Sequence, residues 1–203
     1  MHTIPAGAAD FHVDRLKAHG VAAANGSRIG MTPVMFLHPC GSPHELVENP
    51  ADTRRPIVNA AAGTTAQTAI RGIHGAGIAV YDVNSMDEFL WFGMNLTQDA
   101  KSDEGLMFAV PDTMGPHSVV EILPDNTSPQ GRWMLAGGII HHMAQDTVTE
   151  DGQHRLKTQL EGGGFTDVSA QKDRNYFQSM YVRSPGGALF EIAWSIEGGL
   201  GAG

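Results

Sequence analysis

With 203 residues the chain is long enough for one full domain or two small ones. It carries 13 Lys and Arg against 22 Asp and Glu, a net charge of −9, which argues against non-specific attraction to nucleic acid or to an anionic membrane surface. Apolar residues at 41% exclude wholesale disorder, and 25 glycines in 203 residues, about 12% against a usual ~7%, point to turns and strands rather than a helix bundle. There is no run of about 18 apolar residues, so no transmembrane helix is expected. The opening MHTIPAGAADFHVDRLK lacks the basic and apolar regions of a secretory signal. The single cysteine, Cys40, leaves no internal disulfide framework and reads as a half-buried loop thiol, so a cytoplasmic, reducing location is expected.

Residues 8–19 predict a helix, because Ala9, Val13 and Leu16 recur at helical spacing and Gly20 stands at the stop. Strands follow near 27–31 and 33–38, then an HPCGSPH turn and a strand from Glu45 to Glu48. Residues 49–69 are small, polar and Pro-containing and read as a linker. A Gly-rich strand is expected over 71–82 and a helix over 84–94, capped by Asn84 or Ser85, with Asp87 and Glu88 in its first turn. The GAGIAV segment within that strand lacks the Lys and the spacing of a phosphate loop. Strands at 105–110 and 117–123 precede a Pro- and Gly-containing stretch over 124–137. A strand over 138–145 and a helix over 150–161, stopped by Gly162, Gly163 and Gly164, open the last part. Strands over 165–170, 176–183 and 188–194 close it, the final two joined by SPGG.

The order strand, helix, then about three strands recurs, which predicts an α+β fold of repeated βαβββ units. One local repeat is specific: Pro39, Gly41 and Glu45 match Pro185, Gly187 and Glu191 in spacing, and Pro116 with Glu121 is a looser copy. The expected division is a partial unit over 1–48, a linker over 49–70, a unit over 71–124 and a unit over 138–196. Residues 1–5 leave little room for an opening strand in the first unit. Either that strand is very short, or the chain starts inside a longer ancestral reading frame.

Ten histidines permit metal chemistry. His141 and His142 fall in the opening strand of the last unit and Glu191 in its closing strand. Strand neighbours face opposite ways, so only one histidine of the pair shares a face with a given site. Glu191 lies among Leu189, Phe190, Ile192, Ala193 and Trp194, where a carboxylate is costly unless paired, hydrogen-bonded or metal-bound. Two imidazoles and a carboxylate with open positions are the usual non-haem Fe(II) set for oxygen chemistry. The same residues can also be a satisfied strand histidine and a water-facing Glu. Arg174 alone can be a surface ion pair with Asp173, Tyr181 a packed strand residue, and Tyr176 and Phe177 core or pocket wall. His12, His19 and His117 are expected to be solvated.

GIIHHMA followed by DRNYFQSMYVRSPGGALFEIAW resembles the final βαβββ unit of the vicinal oxygen chelate superfamily, which contains glyoxalase, bleomycin-resistance and extradiol-dioxygenase proteins. Within it the match is best to the hydroquinone-type ring-cleaving dioxygenases. The resemblance runs from about residue 8 and is most specific over 138–194. It implies units curled into half-barrel cups. It also implies a metal-dependent ring-cleaving dioxygenase that binds Fe(II) or Mn(II) and takes a hydroquinone- or catechol-like substrate and dioxygen. His142 and Glu191 take the metal positions, and His141, Arg174 and Tyr181 line the substrate pocket. An Arg and a His near the metal suit phenolate and superoxide-like charge, and Tyr181 suits proton transfer.

The family usually has four units, with a third ligand from another unit, expected for the hydroquinone type in a first unit that this chain lacks. The candidate here is His74 of RGIHGAG; set against IIHH, however, His74 matches His141 and Gly75 takes the ligand position. His74 also reads as a strand histidine held by a backbone carbonyl. Glu45 and Glu121 match Glu191 in the other units, where the family's copies usually hold no metal. A missing unit would leave apolar surface uncovered, so a homo-oligomer is expected, able to supply a ligand in trans. Two other readings stand: a non-catalytic binding module with an incomplete metal site, and a glyoxalase-like lyase.

Overall fold

The computed structural model describes residues 1–111, 118–127 and 140–198. The expectations placed on Pro116, His117 and residues 128–139 lie outside the described residues. The first unit runs β1 (His2–Ile4), α1 (Ala9–Ala18), β2 (Ala23–Asn25), β3 (Val34–Leu37) and β4 (Pro43–Glu48), followed by a two-residue strand β5 (Gly72–Ile73). The second runs β6 (Gly75–Val80), α2 (Val83–Glu88), β7 (Thr97–Ser102), β8 (Gly105–Ala109) and β9 (Val119–Pro124). The third runs β10 (Met143–Asp146), α3 (Glu150–Gly162), β11 (Lys172–Asp173), β12 (Phe177–Arg183) and β13 (Leu189–Ser195). The orders β2-β3-β4-β1, β7-β8-β9-β6 and β11-β12-β13-β10 are the same order three times, with β5 added beside β1. In each unit the opening strand lies parallel to the closing one and the other pairs are antiparallel. The fold is therefore α+β, built from βαβββ units, and the opening strand of the first unit is present but only three residues long.

The strand period decides what each unit buries. In β12 and β13, Met180, Val182, Phe190 and Ile192 point one way, into a core shared with Met86, Phe89, Leu90 and Leu160 from the second and third units. Phe89 lies edge-on to both Phe165 and Phe190, each at 5.1 Å between centroids. The second and third units thus pack helix side to helix side. The first unit closes its own small core, with Ile4, Val13, Val34 and Leu46 under α1. Its sheet turns its other face toward the second sheet, where Ile29 meets Met107 and Val119.

Several local expectations are corrected. The strand near 27–31 is a tight turn: Arg28 and Met31 exchange backbone hydrogen bonds at 2.9 and 2.8 Å, and Ile29 and Gly30 both take positive φ. Positive φ at a β-branched residue is strained; burial of Ile29 and a 2.7 Å bond from its N–H to Glu104 Oε2 hold it there. The cap of the second helix is Asp82, whose carboxylate accepts from the Asn84 and Ser85 N–H groups. That helix is α only to Glu88 and continues as one π turn over Phe89–Gly93. No strand forms over 165–170; the short β11 follows instead. The edge strand β7 was not expected, because TQDAKS is polar on both faces and almost wholly exposed. His12 is buried rather than solvated, 2.7 Å from the Thr68 carbonyl, and pins α1 to the irregular 49–71 segment. Cys40 is exposed, not half-buried.

Candidate active site

The same alternation that buries Phe190 and Ile192 turns Glu191 to the opposite face of the third sheet. Tyr181 lies directly across from Glu191 in β12, and Ala144 pairs with Glu191 in β10. The strand expected over 138–145 begins only at Met143 among the described residues, so His142 stands just outside it, with its side chain on the face of Glu191. Its Nε2 is 2.8 Å from Glu191 Oε2. The second carboxylate oxygen, Oε1, accepts the Tyr181 hydroxyl at 2.6 Å. Glu191 is 3% exposed, so both lone-pair directions of a buried carboxylate are met by specific partners.

Arg174 is presented by the tight turn between β11 and β12. Asn175 takes φ 67° there, the Asp173 side chain accepts the Asn175 N–H at 2.8 Å, and the Arg174 N–H bonds the Phe177 carbonyl at 2.9 Å. The Arg174 guanidinium then reaches over the sheet, donating from Nε to Ser179 Oγ at 3.2 Å and from Nη2 to the Tyr181 oxygen at 3.4 Å. So Arg174 bonds Ser179 and Tyr181. His141 Nδ1 stands 2.8 Å from His142 Nδ1. Five of the six site residues expected from the sequence, His141, His142, Arg174, Tyr181 and Glu191, are joined in one network.

His74 stands elsewhere, buried at the junction of β5 and β6. Its Nδ1 is 3.4 Å from Thr3 Oγ1, and its backbone ties the Met1 carbonyl to the Val119 N–H. The register explains the alignment of His74 with His141: Gly77 pairs with Glu121 as Ala144 pairs with Glu191, so Gly75 is the counterpart of His142. A Cβ at Gly75 would lie 2.1 Å from the Val119 carbonyl oxygen, which excludes any side chain there as the strands stand.

Two site residues were missed. Ser179, fully buried, holds Arg174, and Lys172 Nζ lies 5.6 Å from the centre of the Tyr181 ring. Ser179 is two residues from Tyr181 on one strand, so period-two reading could have found it.

The donor set suits a metal. Imidazole nitrogen and carboxylate oxygen serve Fe(II) and Mn(II). Their separation of 2.8 Å is close to the edge of a coordination octahedron, about 3 Å for bonds of ~2.1 Å. His142 is a third exposed, which leaves an approach from solvent.

No protein-family model matches the chain. It is 32% identical over 175 residues to the chlorohydroquinone/hydroquinone 1,2-dioxygenase of Sphingobium indicum, covering 83% of this chain and 52% of that protein. A crystal structure of a candidate dioxygenase from Bacillus subtilis superposes with a TM-score of 0.78 at 26% identity, over 97% of this chain and 61% of that one. A glyoxalase/bleomycin-resistance/dioxygenase domain from Frankia sp. EAN1pec shares the fold, with a TM-score of 0.50 at 10% identity over 62% of this chain. The fold and these relatives are those of the glyoxalase-like, vicinal oxygen chelate proteins. Among them, the chain's relatives carry the names of ring-cleaving dioxygenases, and it spans roughly half to three-fifths of their length, 52% and 61% in these two cases. No helix among the described residues is long and apolar enough to cross a membrane.

Proposed function

We propose that the third unit holds Fe(II), with Mn(II) as the alternative, and that the chain takes part in cleaving the ring of a hydroquinone- or catechol-like aromatic with dioxygen. One observation carries this reading: a buried Glu191 whose two oxygens meet His142 Nε2 at 2.8 Å and the Tyr181 hydroxyl at 2.6 Å. A bound redox-active metal would bring the aromatic diol and dioxygen together.

The chain's own residues have separable tasks. Coordination through His142 Nε2 requires the proton on Nδ1, and His141 Nδ1, 2.8 Å away, accepts it. That fixes the tautomer and the ring plane. Tyr181 donates to Glu191 and accepts from Arg174, so its hydroxyl is oriented at both ends and placed to hand a proton to a substrate oxygen. Arg174 supplies fixed positive charge beside a phenolate or a reduced oxygen species.

The two-His-one-carboxylate pattern asks for one more donor. His74 is the candidate within this chain, and reaching the pair would require it to leave Thr3. A second copy of the chain is the other source proposed. Iron retention by His74→Ala, with the oligomeric state from sedimentation, separates the two. The binding-module reading also has an observation in its favour, since among the described residues only two donors meet at the site.

The deciding experiment is anaerobic Fe(II) loading followed by metal analysis and oxygen uptake with hydroquinone. Stoichiometric iron, lost in His142→Ala and Glu191→Gln, with oxygen consumed against hydroquinone, is the expected result. No retained metal in the wild type supports the binding module. Metal without oxygen uptake supports a lyase.

A further inference from the structure

A second group of metal-type donors lies on the first unit, on the opposite face of its sheet from Glu45. Phe36 pairs with His44 and His2 with Leu46, so period-two alternation puts His2, Phe36, His38 and His44 on one face. The rings confirm it: His44 is 5.5 Å from His2, stacked, and 5.6 Å from both His38 and Phe36. The turn between β3 and β4 adds a thiol. His38 and Gly41 close it with bonds of 2.8 Å to Ser42 and 2.7 Å back to His38, and Gly41 takes φ 88°. Pro39 and Pro43 bracket the turn, so little backbone entropy remains to be lost.

Within that turn Cys40 Sγ is 2.9 Å from His38 Nδ1, which also accepts the Cys40 N–H at 3.2 Å. The thiol proton therefore faces an imidazole lone pair. On the neighbouring strands His2 Nε2 is 3.4 Å from His44 Nδ1. Two nitrogens on one tetrahedral zinc, at ~2.0–2.1 Å each, stand about 3.3–3.4 Å apart. The His2–His44 separation is already that edge. As they stand the donors form two hydrogen-bonded pairs rather than one closed shell. Among the described residues no three donors converge on one metal position as the side chains stand; Cys40 and His38 are exposed and His2 and His44 half-buried, so binding requires these side chains to turn.

We propose that His2, His38, Cys40 and His44 form a binding site for a borderline d-block dication such as Zn²⁺, separate from the His142–Glu191 pair. One thiolate with imidazoles is the donor chemistry of zinc and cobalt rather than of magnesium or calcium. Binding would replace the Cys40 thiol proton by the metal and release that proton to solvent.

The test is a Co²⁺ titration of the reduced, metal-stripped full chain in the His142→Ala background, which removes the other site. One tight cobalt with a thiolate-to-metal charge-transfer band and tetrahedral visible bands is expected, displaced by Zn²⁺. Cys40→Ser should abolish the charge-transfer band, and His38→Ala should weaken binding at least about 10-fold, on the scale of losing a metal-supporting group. Both positions are exposed, and circular dichroism checks that each variant folds. Absence of the band, or binding that Cys40→Ser and His38→Ala leave unchanged, overturns the proposal.

Discussion

Tyr181 is the residue on which the candidate site turns. Its hydroxyl bonds Glu191 at 2.6 Å and leaves Oε2 to face His142. Without the hydroxyl, Oε1 keeps no partner that the strand pairing supplies, and the carboxylate is free to rotate. Tyr181→Phe should fold normally, since the ring stays, and should weaken metal binding about 10–100-fold, the usual effect of losing a group that orients a ligand. Metal titration of wild type and variant measures this; equal affinities would mean that Tyr181 acts on the substrate alone. Gly75 shows the converse. It occupies the position of His142 in the second unit, and its missing Cβ is what lets β6 lie beside the Val119 carbonyl. Gly75→Ala should cost about 1–3 kcal/mol, as overpacking does, read as a lower thermal midpoint. The shared face of Glu191 and Tyr181 follows from strand period, but their roles and that of His142 were legible only through the resemblance, and His142 stands just before β10, where alternation does not apply. The burial of His12 was not legible, because its partner, the Thr68 carbonyl, comes from a segment without periodicity.

Between the first two sheets the closing strands β4 and β9 bring Glu45 and Glu121 together, each at the position that Glu191 holds in the third. Arg28 lies beside both, 2.8 Å from Glu45 Oε1 and 3.8 Å from Glu121 Oε2, and the Met1 amine adds a second positive charge. Arg28 comes from the turn that the sequence presented as a strand, and its partners are distant in the chain, so neither the turn nor the contact was readable locally. Neither oxygen of Glu121 has a hydrogen-bond partner. Burial first, then the charge of Glu45, push its pKa from 4.5 up to about 7, against the pull of Arg28 and the Met1 amine. The folded state therefore holds this proton more tightly than the unfolded chain. Its contribution to stability is full below about pH 4.5 and is lost as the pH rises to about 7. Glu121→Gln should remove that slope and, at pH 8, stabilise the chain by at most about 3 kcal/mol, the equivalent of the raised pKa. Denaturant midpoints at pH 5 and pH 8 check it: the variant should gain at pH 8 and little at pH 5. Equal gains at both would trace the effect to packing.

Across the molecule the three units are joined by two unlike contacts. The second and third share a continuous apolar core centred on Phe89, Phe165 and Phe190, whereas the first meets the second through a smaller apolar patch and the Arg28 ion pairs. The metal-type face of the third sheet lies on the side of β13 opposite that core: Phe190 and Ile192 pack inward and Glu191 outward on adjacent residues. The position of Glu191 thus depends on helix-side packing that it does not touch. Phe89→Ala opens the contact of the π turn after α2 with both other rings and should cost about 3–5 kcal/mol, lowering the thermal midpoint by roughly 10 °C for a chain of this size. Because the first unit keeps its own core under α1, the loss should not be uniform. Amide exchange should rise first in β12 and β13 and later in β3 and β4, and metal retention by the His142–Glu191 pair should fall with the former. An even rise across all three sheets would mean instead that the Arg28 cup couples the first unit to the others as firmly as the aromatic core couples the second to the third.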